Sequence, residues 1–385
     1  MSESVFPAIV VAAYNRPDEL QQLCASLNRA DIPSQTPIVF SIDGEGEHQD
    51  AVISVAQQFA WDKGPKEVRV HAHLGLVDHF HLCGDLTEQF GSVVLLEDDL
   101  IVAPSFHLWA SAALGATSHD DRIAGVSLAT PFFDGYRHLP FEPVLDGSDG
   151  VYLQVPWYDG MAWNRRMWVD YRSAPPTPDT PLHAALTGLD EDEWFPDAMR
   201  YLIATDRFYL MPRNAHATNS GAAGAHFDKA TNWFQVPLTM RSPSSFIIAA
   251  LDDALAIYDD HMELDVGALK RLVPELSEMD LTVDLLAVRN QTSITTEMVV
   301  TSRNVRSSKQ AWGADLHPLV ANLVHNVPGD AIHLARTADL AGAENGADAA
   351  DKTLLIHASR GQSPAPKELA RQLAGVVRRK LRRDG

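Results

Sequence analysis

The sequence predicts an α/β protein with a mainly parallel central sheet and flanking helices. Three observations support this class. Continuous apolar runs such as AIVVAAY (8–14) are typical of strands buried on both faces of a sheet. Segments with apolar residues at helical spacing follow these runs. Strands and helices alternate up to about residue 130, an order that implies parallel strands joined by right-handed crossovers.

The first hundred residues carry four predicted strands and three predicted helices. Pro17 is expected at the start of the first helix, because proline is favoured at the first helical position. Leu20, Leu23 and Leu27 then share one face of that helix. In chain order the elements are strand 8–14, helix 17–30, strand 36–44, helix 48–61, strand 67–73, helix 77–91 and strand 92–99.

The second half of the chain differs from the first in its residue composition. Residues 155–171 are dense in aromatics, and a proline-rich loop follows. An acidic segment then leads into a helix and a short strand that ends near residue 212. We predict a first domain over residues 1–243, an accessory α/β region over 244–340, and a linker, short strand and basic tail over 341–385.

Composition narrows the function classes. The chain has 385 residues, 45% hydrophobic and 21% charged, which is typical of a globular protein. A net charge of −20 argues against nucleic acid as a partner. The N-terminus lacks the basic region of a secretory signal, so we expect a cytoplasmic protein. Cys24 and Cys83 form no CxxC, which fits a reducing compartment and disfavours a zinc–thiolate site.

The last 19 residues differ in charge from the rest. Residues 367–385 contain seven Lys/Arg and two acids, and their leucines and valines fall near one face of a helix. A basic amphipathic helix can bind weakly to an anionic membrane surface, here the inner face of the membrane. A solvated tail, or one that folds back on the acidic body, is the alternative.

Polar residues follow the predicted strands where ligands bind in open α/β sheets, at the carboxyl ends. Arg16 follows the first strand, Asp43 ends the second, and the run Glu97-Asp98-Asp99 ends the fourth. Adjacent carboxylates suit Mg²⁺ or Mn²⁺, which pair a few protein oxygens with substrate phosphates. A solvated turn, or acids that cap the next helix, would be the structural explanation.

The segment VVLLEDDLIVAPSF (93–106) resembles the metal-binding segment of N-acetylglucosaminyltransferase I and its relatives, which are inverting glycosyltransferases of the GT-A fold. More broadly, residues 7–240 are similar to family-2-type GT-A glycosyltransferases. The order of the matching segments is kept: YNRP, FSIDG, EDD as a variant of the DXD motif, and the aromatic run WYDGMAWNRRMW, in which Trp157 or Tyr158 is expected to face the cleft.

The resemblance implies a role for each residue at the strand ends. By the resemblance, Asp99 would coordinate the metal, Asp98 would reach the ribose or a bound water, and Glu97 would reach the donor sugar. Asp43 would contact the N3–H of the base, and Arg16 would lie near the nucleotide. The structural alternatives are that Arg16 pairs on the surface with a neighbouring acid and that Asp43 only shapes its turn.

An inverting transfer also needs a base to deprotonate the acceptor hydroxyl. The resemblance places it in the acidic run before the helix at Trp194, with Asp192 first and Asp197 and Glu193 as rivals. The structural explanation is that these acids stabilise a helix N-terminus. His226, in a glycine-rich loop, could ligate the metal or touch the pyrophosphate, or serve only the loop.

The sequence therefore predicts a metal-dependent, inverting glycosyltransferase. The expected cofactors are Mn²⁺ or Mg²⁺ and a nucleotide-sugar donor, with a UDP-sugar favoured. The acceptor would be a glycan, a lipid-linked molecule or a protein. A non-catalytic binding or scaffold protein on a degenerate GT-A domain is the alternative. A nucleotidyltransferase ranks lower, because YNRP lacks the glycines that grip a triphosphate.

Overall fold

The chain folds into two compact units. The structure, a computed structural model, describes residues 6–134, 136, 140–183, 193–222, 230–232 and 234–341. The first unit comprises Met1–Pro131 and Leu145–Met262, and the second comprises Phe132–Val144 and Glu263–Gly385.

The first unit is built on a large mixed sheet with the strand order β11-β7-β9-β6-β8-β4-β1-β2-β3. Most neighbouring pairs are parallel, and β8 and β7 supply the antiparallel pairings. The α/β class with a mainly parallel sheet is confirmed. The strands are β1 (Ala8–Ala13), β2 (Ile38–Ile42), β3 (Lys66–Val70), β4 (Ser92–Glu97), β6 (Ile123–Ser127), β7 (Gly150–Leu153), β8 (Met161–Asn164), β9 (Phe208–Pro212) and β11 (Ile257–Tyr258). A separate antiparallel pair joins β5 (Leu100–Val102) to β10 (Ala217–Asn219).

Helices cover this sheet, and several begin where the sequence predicts. Pro17 is the first residue of α1, and the apolar face of α1 with Leu20, Leu23 and Leu27 is buried. The predicted third helix is interrupted at Leu86, so that α3 and α4 replace one element. The helices of this unit are α1 (Pro17–Leu27), α2 (Gln49–Gln58), α3 (Leu76–Asp85), α4 (Thr87–Phe90), α5 (Phe106–Ala116), α6 (Arg165–Ser173) and α7 (Trp194–Thr205).

The centre of the sheet explains the apolar runs in the sequence. β1 lies between β2 and β4, and all apolar residues of these strands except Ala12 are buried. The parallel register pairs Ala12 of β1 with Glu97 of β4. The residues that follow these two strands therefore emerge side by side at one edge of the sheet.

The second unit has its own four-stranded sheet, in the order β12-β13-β15-β14. Buried Asp284 accepts hydrogen bonds from Thr301 and Arg303 and ties two of its segments together. Its elements are α8 (Val266–Leu272), β12 (Leu281–Asp284), β13 (Met298–Thr301), β14 (Gln310–Trp312), α9 (Ala321–Val324), β15 (Ile332–Arg336) and short 3₁₀ turns at Pro274–Leu276, Gln291–Ser293 and Thr337–Asp339.

β11, at residues 257–258, pairs with β7 and so belongs to the large sheet. The division into domains at residues 243 and 340 stays a prediction. Within the described residues, none of the helices combines the length and the apolar character needed to cross a membrane. The basic segment 367–385 and the linker before it lie outside the described residues.

Candidate functional site

A cavity of about 90 Å³ opens at the carboxyl ends of β1 and β4. Its walls come from the ends of those two strands, from the first turns of α3, and from the start of α7. The lining residues are Ala12, Ala13, Tyr14, Arg16, Leu76, His79, Phe80, Leu95, Glu97, Asp98 and Trp194. The lining thus combines apolar side chains with two carboxylates and a guanidinium.

Arg16 organises the acidic side of the site. Its Nε donates to Asp98 Oδ1 at 2.9 Å, and its Nη1 donates to Asp99 Oδ2 at 2.8 Å. The backbone N–H of Tyr14 donates to the other oxygen of Asp98 at 3.2 Å. Arg16 therefore pairs with two acids of the EDD run rather than with its sequence neighbours Asp18 and Glu19.

The three acids differ in how many contacts they have. Asp98 is 2% exposed and both of its carboxylate oxygens are engaged. Asp99 is partly exposed, and its Oδ1 accepts no hydrogen bond from any described residue. The carboxylate of the half-buried Glu97 likewise has no hydrogen-bond partner within the described residues, although it lines the cavity. Glu97 and Asp99 are consequently the two acids with oxygens available to a ligand.

The acids outnumber the cation beside them. Burial, with the charge of Asp99 next, raises the pKa of Glu97 well above its usual range despite Arg16. Burial also raises the pKa of Asp98 to about 6, although the Arg16 guanidinium opposes this shift. One guanidinium thus leaves negative charge uncompensated in a partly desolvated place, an environment that suits a cation.

Asp43 has a different set of contacts. It is 4% exposed, and its carboxylate accepts from the backbone N–H groups of Gly44, Leu74 and Gly75. His73 Nδ1 lies 3.2 Å from the same carboxylate. Asp43 therefore fixes the loop after β3 to the end of β2. This agrees with the alternative in which Asp43 has a structural role at its turn. Its contact with a nucleotide base stays a prediction.

Asp159 is a buried acid that the sequence did not single out. It has no exposed surface, and it accepts from Trp157 Nε1 at 3.1 Å and from Asn219 Nδ2 at 3.2 Å. Burial raises its pKa to about 7, and Asp99 adds to the shift. The Asp-Gly pair in WYDG is typical of an ordinary turn, so no local pattern marks Asp159 as a site residue.

The aromatic segment around Asp159 divides between site and core. Tyr158 is half-buried and stacks on Trp157 with ring centroids 4.6 Å apart. Trp163 and Trp168 are each 1% exposed and lie 4.8 Å apart, so both are core residues. Tyr158 is the aromatic residue of this run with surface to offer a ligand.

The candidate bases occupy different settings. Trp194 lines the cavity and stacks on Phe80 at 4.5 Å, so Glu193, which immediately precedes it, is held close to the cavity by the start of α7. The Asp197 side chain is 79% exposed and pairs with Arg200 at 2.9 Å. Asp192 and His226 lie outside the described residues. All these roles stay predictions.

A compact group of three metal-type ligands is found elsewhere. Within the described residues, Asp259, Asp260 and His261 are the group whose ligand atoms all lie within 4.8 Å of one another. The EDD acids do not form such a preformed triad. This difference is compatible with Mg²⁺ or Mn²⁺ chemistry, in which substrate phosphates and water complete a site that has one or two protein ligands.

Comparisons with known proteins give distant structural likenesses. No protein family matches the chain, and no curated sequence matches it. Residues 1–349 of S. aureus TarS are similar at 12% identity and a TM-score of 0.36, over 55% of this chain and 59% of that one. The same protein in complex with UDP-GlcNAc gives 12% and 0.37, over 57% and 60%. A mannosyltransferase from Pyrobaculum calidifontis, PcManGT, in complex with GDP-Man and Mn²⁺, gives 12% and 0.32, over 55% and 59%.

The chain spans about three-fifths of the length of these structures. At such TM-scores the likeness carries no argument about activity.

Proposed function

We propose that this protein is a metal-dependent, inverting glycosyltransferase that moves a sugar from a nucleotide-sugar donor to an acceptor hydroxyl. One observation carries the proposal. The EDD run lies at the carboxyl end of β4, beside the end of β1, where Glu97 and Asp98 line a cavity and where Glu97 and Asp99 have carboxylate oxygens without a partner among the described residues. Ligands of open α/β sheets bind at this edge.

The donor set fits a hard divalent cation. Asp99 is reachable from solvent, its Oδ1 has no partner among the described residues, and the charge around it is negative beyond what Arg16 compensates. Asp99 would hold Mn²⁺ or Mg²⁺, with Glu97 close to the same space. The bound cation would neutralise the developing charge of the leaving diphosphate.

The protein residues have separate tasks in the transfer. Asp98 is held in place by Arg16 and by the Tyr14 N–H, and it thereby fixes the orientation of the turn that carries Glu97 and Asp99. Trp194 and Phe80 form an apolar wall that excludes water from the reacting sugar.

A carboxylate of the run before α7 accepts the proton of the attacking hydroxyl. Asp192 is the first candidate, with Asp197 and Glu193 as rivals. Glu193 lies within the described residues, and the next residue, Trp194, lines the cavity.

The resemblance to GT-A glycosyltransferases supports the choice of donor class. We propose a UDP-sugar as donor, with Asp43 and Arg16 on the nucleotide side. The acceptor would be a glycan, a lipid-linked molecule or a protein. His226, in its glycine-rich loop, would act at the metal or pyrophosphate. A scaffold protein on a degenerate domain is the second candidate. A scaffold role would not explain why an uncompensated acidic run lies at the mouth of a cavity.

Nucleotide release from a panel of UDP- and GDP-sugars, with Mn²⁺ and without an added acceptor, tests the proposal. A transferase of this kind hydrolyses its own donor slowly, so one sugar of the panel should release nucleotide in a metal-dependent way. A scaffold would release none from any donor.

A further inference from the structure

A second cavity, of about 170 Å³, lies in the first unit, away from the EDD acids. Most of its lining residues come from the chain after β9 and from the segment that follows residue 238. Its lining residues are Asp149, Pro212, Asn214, His216, Thr239, Arg241, Pro243 and Phe246. The volume is several times the roughly 30 Å³ of a water molecule in the liquid, and below the roughly 300 Å³ of pockets for drug-sized ligands. It suits a molecule of about one sugar ring.

The sheet topology places this cavity at the same edge as the acids. β8 is antiparallel to both β4 and β6, so β6 runs in the direction of β4. β9 is parallel to β6, and it ends at Pro212, a residue of the cavity wall. Both cavities therefore open at the carboxyl edge of the strands.

A short stretch of chain connects the two places. His216 lies in the wall of the second cavity, and the next three residues form β10, which pairs with β5. Ser220 then donates its backbone N–H to the carbonyl oxygen of Asp99 at 2.7 Å. The segment 216–220 thus runs directly from the second cavity to the proposed metal ligand.

The wall of the second cavity carries polar atoms without partners in the described chain. His216 is 2% exposed; its Nδ1 pairs with Ser105 Oγ at 2.9 Å, and no described residue hydrogen-bonds its Nε2. Thr239 Oγ1 is buried and has no hydrogen-bond partner within the described residues. Buried polar groups are nearly always hydrogen-bonded in folded proteins, so Thr239 Oγ1 indicates a missing polar ligand, and His216 Nε2 is available to the same ligand.

The remaining lining residues define the character of that ligand. Asp149 uses one carboxylate oxygen to accept from the Ile247 N–H, and its other oxygen has no partner among the described residues. Arg241 brings one positive charge, which balances Asp149, and burial lowers the pKa of His216 to about 4, so its ring is neutral at pH 7. A balanced wall of donors and acceptors suits a neutral polyol better than an ion.

An aromatic ring completes the arrangement. Phe246 is half-buried, and its ring lies edge-on to Trp109 at 5.2 Å and to His216 at 5.3 Å. Two neighbours therefore hold this ring in place beside the polar groups. Rigid aromatic rings next to a few fixed polar groups are the usual composition of a small-molecule site, and the C–H face of a sugar packs on such rings.

We propose that this cavity binds one sugar unit of the acceptor, with hydroxyls on Asp149, His216 and Thr239 and an apolar face on Phe246. The acceptor role rests on the proposed function, whereas the binding itself does not. Binding there would hold an acceptor along the segment 216–220 that leads to Asp99.

The test uses the full-length protein and methyl glycosides of glucose, galactose, mannose and N-acetylglucosamine as probes. The readouts are the histidine ring NMR signals, with that of His216 assigned by substitution, and the fluorescence of the protein, to which Trp109 contributes. We expect one glycoside to shift the His216 signal in a saturable way at millimolar concentration. Thr239→Val and Phe246→Ala should each weaken that binding by about tenfold, since each removes one contact of the ligand.

Two further variants separate loss of contact from loss of fold. Thr239→Ser keeps the hydroxyl and should keep the binding. Met240→Ala changes the neighbouring side chain, which is 77% exposed, and should leave the binding unchanged. Absence of saturable binding by all four glycosides would overturn the proposal, and so would equal binding in wild type, Thr239→Val and Phe246→Ala.

Failure of the transferase assignment would look different. If a glycoside binds but no donor releases nucleotide with Mn²⁺, the sugar site stands and its role as an acceptor site is wrong. If donor turnover is present but no glycoside binds, the inference fails and the proposed activity is unaffected.

Discussion

The Arg16 guanidinium donates a 2.8 Å hydrogen bond through Nη1 to Oδ2 of Asp99. The same guanidinium also holds the buried Asp98, with 2.6 Å between Nη2 and Oδ1. Arg16 thus provides the positive charge that offsets part of the acidic run before any cation binds. A metal that binds to Asp99 would share this carboxylate with Arg16 or displace it, so the pair links the charge balance of the site to its occupancy.

The first prediction concerns the stability of this pair. Arg16→Gln should lower the free energy of unfolding at pH 7 by about 3 kcal/mol, because it leaves the Asp98 carboxylate buried without its partner. Urea unfolding measures the change. The matched control is Arg122→Gln, which removes an exposed pair with Asp120 and Asp252 and should cost less than about 1 kcal/mol. Equal losses of unfolding free energy in the two variants would show that the buried pair stabilises the fold no more than the exposed pair does.

The second prediction concerns the base. Replacing the true base by its amide should keep donor binding and lower turnover by about 10²- to 10⁴-fold, which is the usual contribution of general base catalysis. We expect this effect in Asp192→Asn and near-normal turnover in Asp197→Asn, since the Asp197 side chain is exposed. Steady-state rates and donor affinity are measured for both and for Glu193→Gln. If none of the three lowers turnover, the inverting mechanism is wrong.

The third prediction concerns pH and stability. Burial lowers the pKa of His107 to about 4, and its Nε2 hydrogen-bonds the carbonyl oxygen of Pro7 at 2.9 Å. The folded-state pKa lies below the unfolded value of about 6.5, so the stabilisation is complete above that value. It falls as the pH drops from 6.5 towards 4. The loss from this histidine should reach about 2 kcal/mol at pH 5.

Urea unfolding at pH 7.5 and at pH 5 checks the effect of His107. His107→Gln keeps a side-chain N–H donor but cannot titrate, so its pH dependence should be smaller than that of the wild type by the stated amount. An identical pH dependence in the two proteins would contradict the assignment of a neutral, buried His107.

The fourth prediction concerns the basic tail. Residues 367–385 should give weak, salt-sensitive binding to anionic vesicles and none to neutral vesicles, because each basic residue near such a surface contributes about 1 kcal/mol. Co-sedimentation of the full chain and of a chain ended at Pro366 measures it. Equal partitioning of the two would mean that the segment is a solvated tail.

The carboxyl-edge acids could be predicted from the sequence because the signal is local. An apolar run that ends in Glu97-Asp98-Asp99 predicts a buried strand whose last residues leave the core, although the run alone does not distinguish a ligand site from a solvated turn. Pro17 marked the start of α1 in the same local way.

The rest of the site depends on contacts between distant segments. Asp159 comes to Asp99 because β8 pairs antiparallel with β4, and no local pattern states that pairing. The sequence position of Asp43 predicted contact with a ligand. In the structure, its carboxylate accepts hydrogen bonds from backbone N–H groups of a loop about 30 positions later. The stacking of Trp194 on Phe80, which closes the cavity, joins helices more than a hundred residues apart.

The most direct test of the central claim compares nucleotide release in wild type, Asp99→Asn and Asp260→Asn, each with Mn²⁺ and with EDTA. Asp260 belongs to the other acidic group and serves as the matched control. We predict Mn²⁺-dependent release in wild type and Asp260→Asn, and loss of at least about 10²-fold in Asp99→Asn, since a charge that clamps the diphosphate through the metal is removed. Undiminished release by Asp99→Asn, or full activity of the wild type in EDTA, would contradict the account.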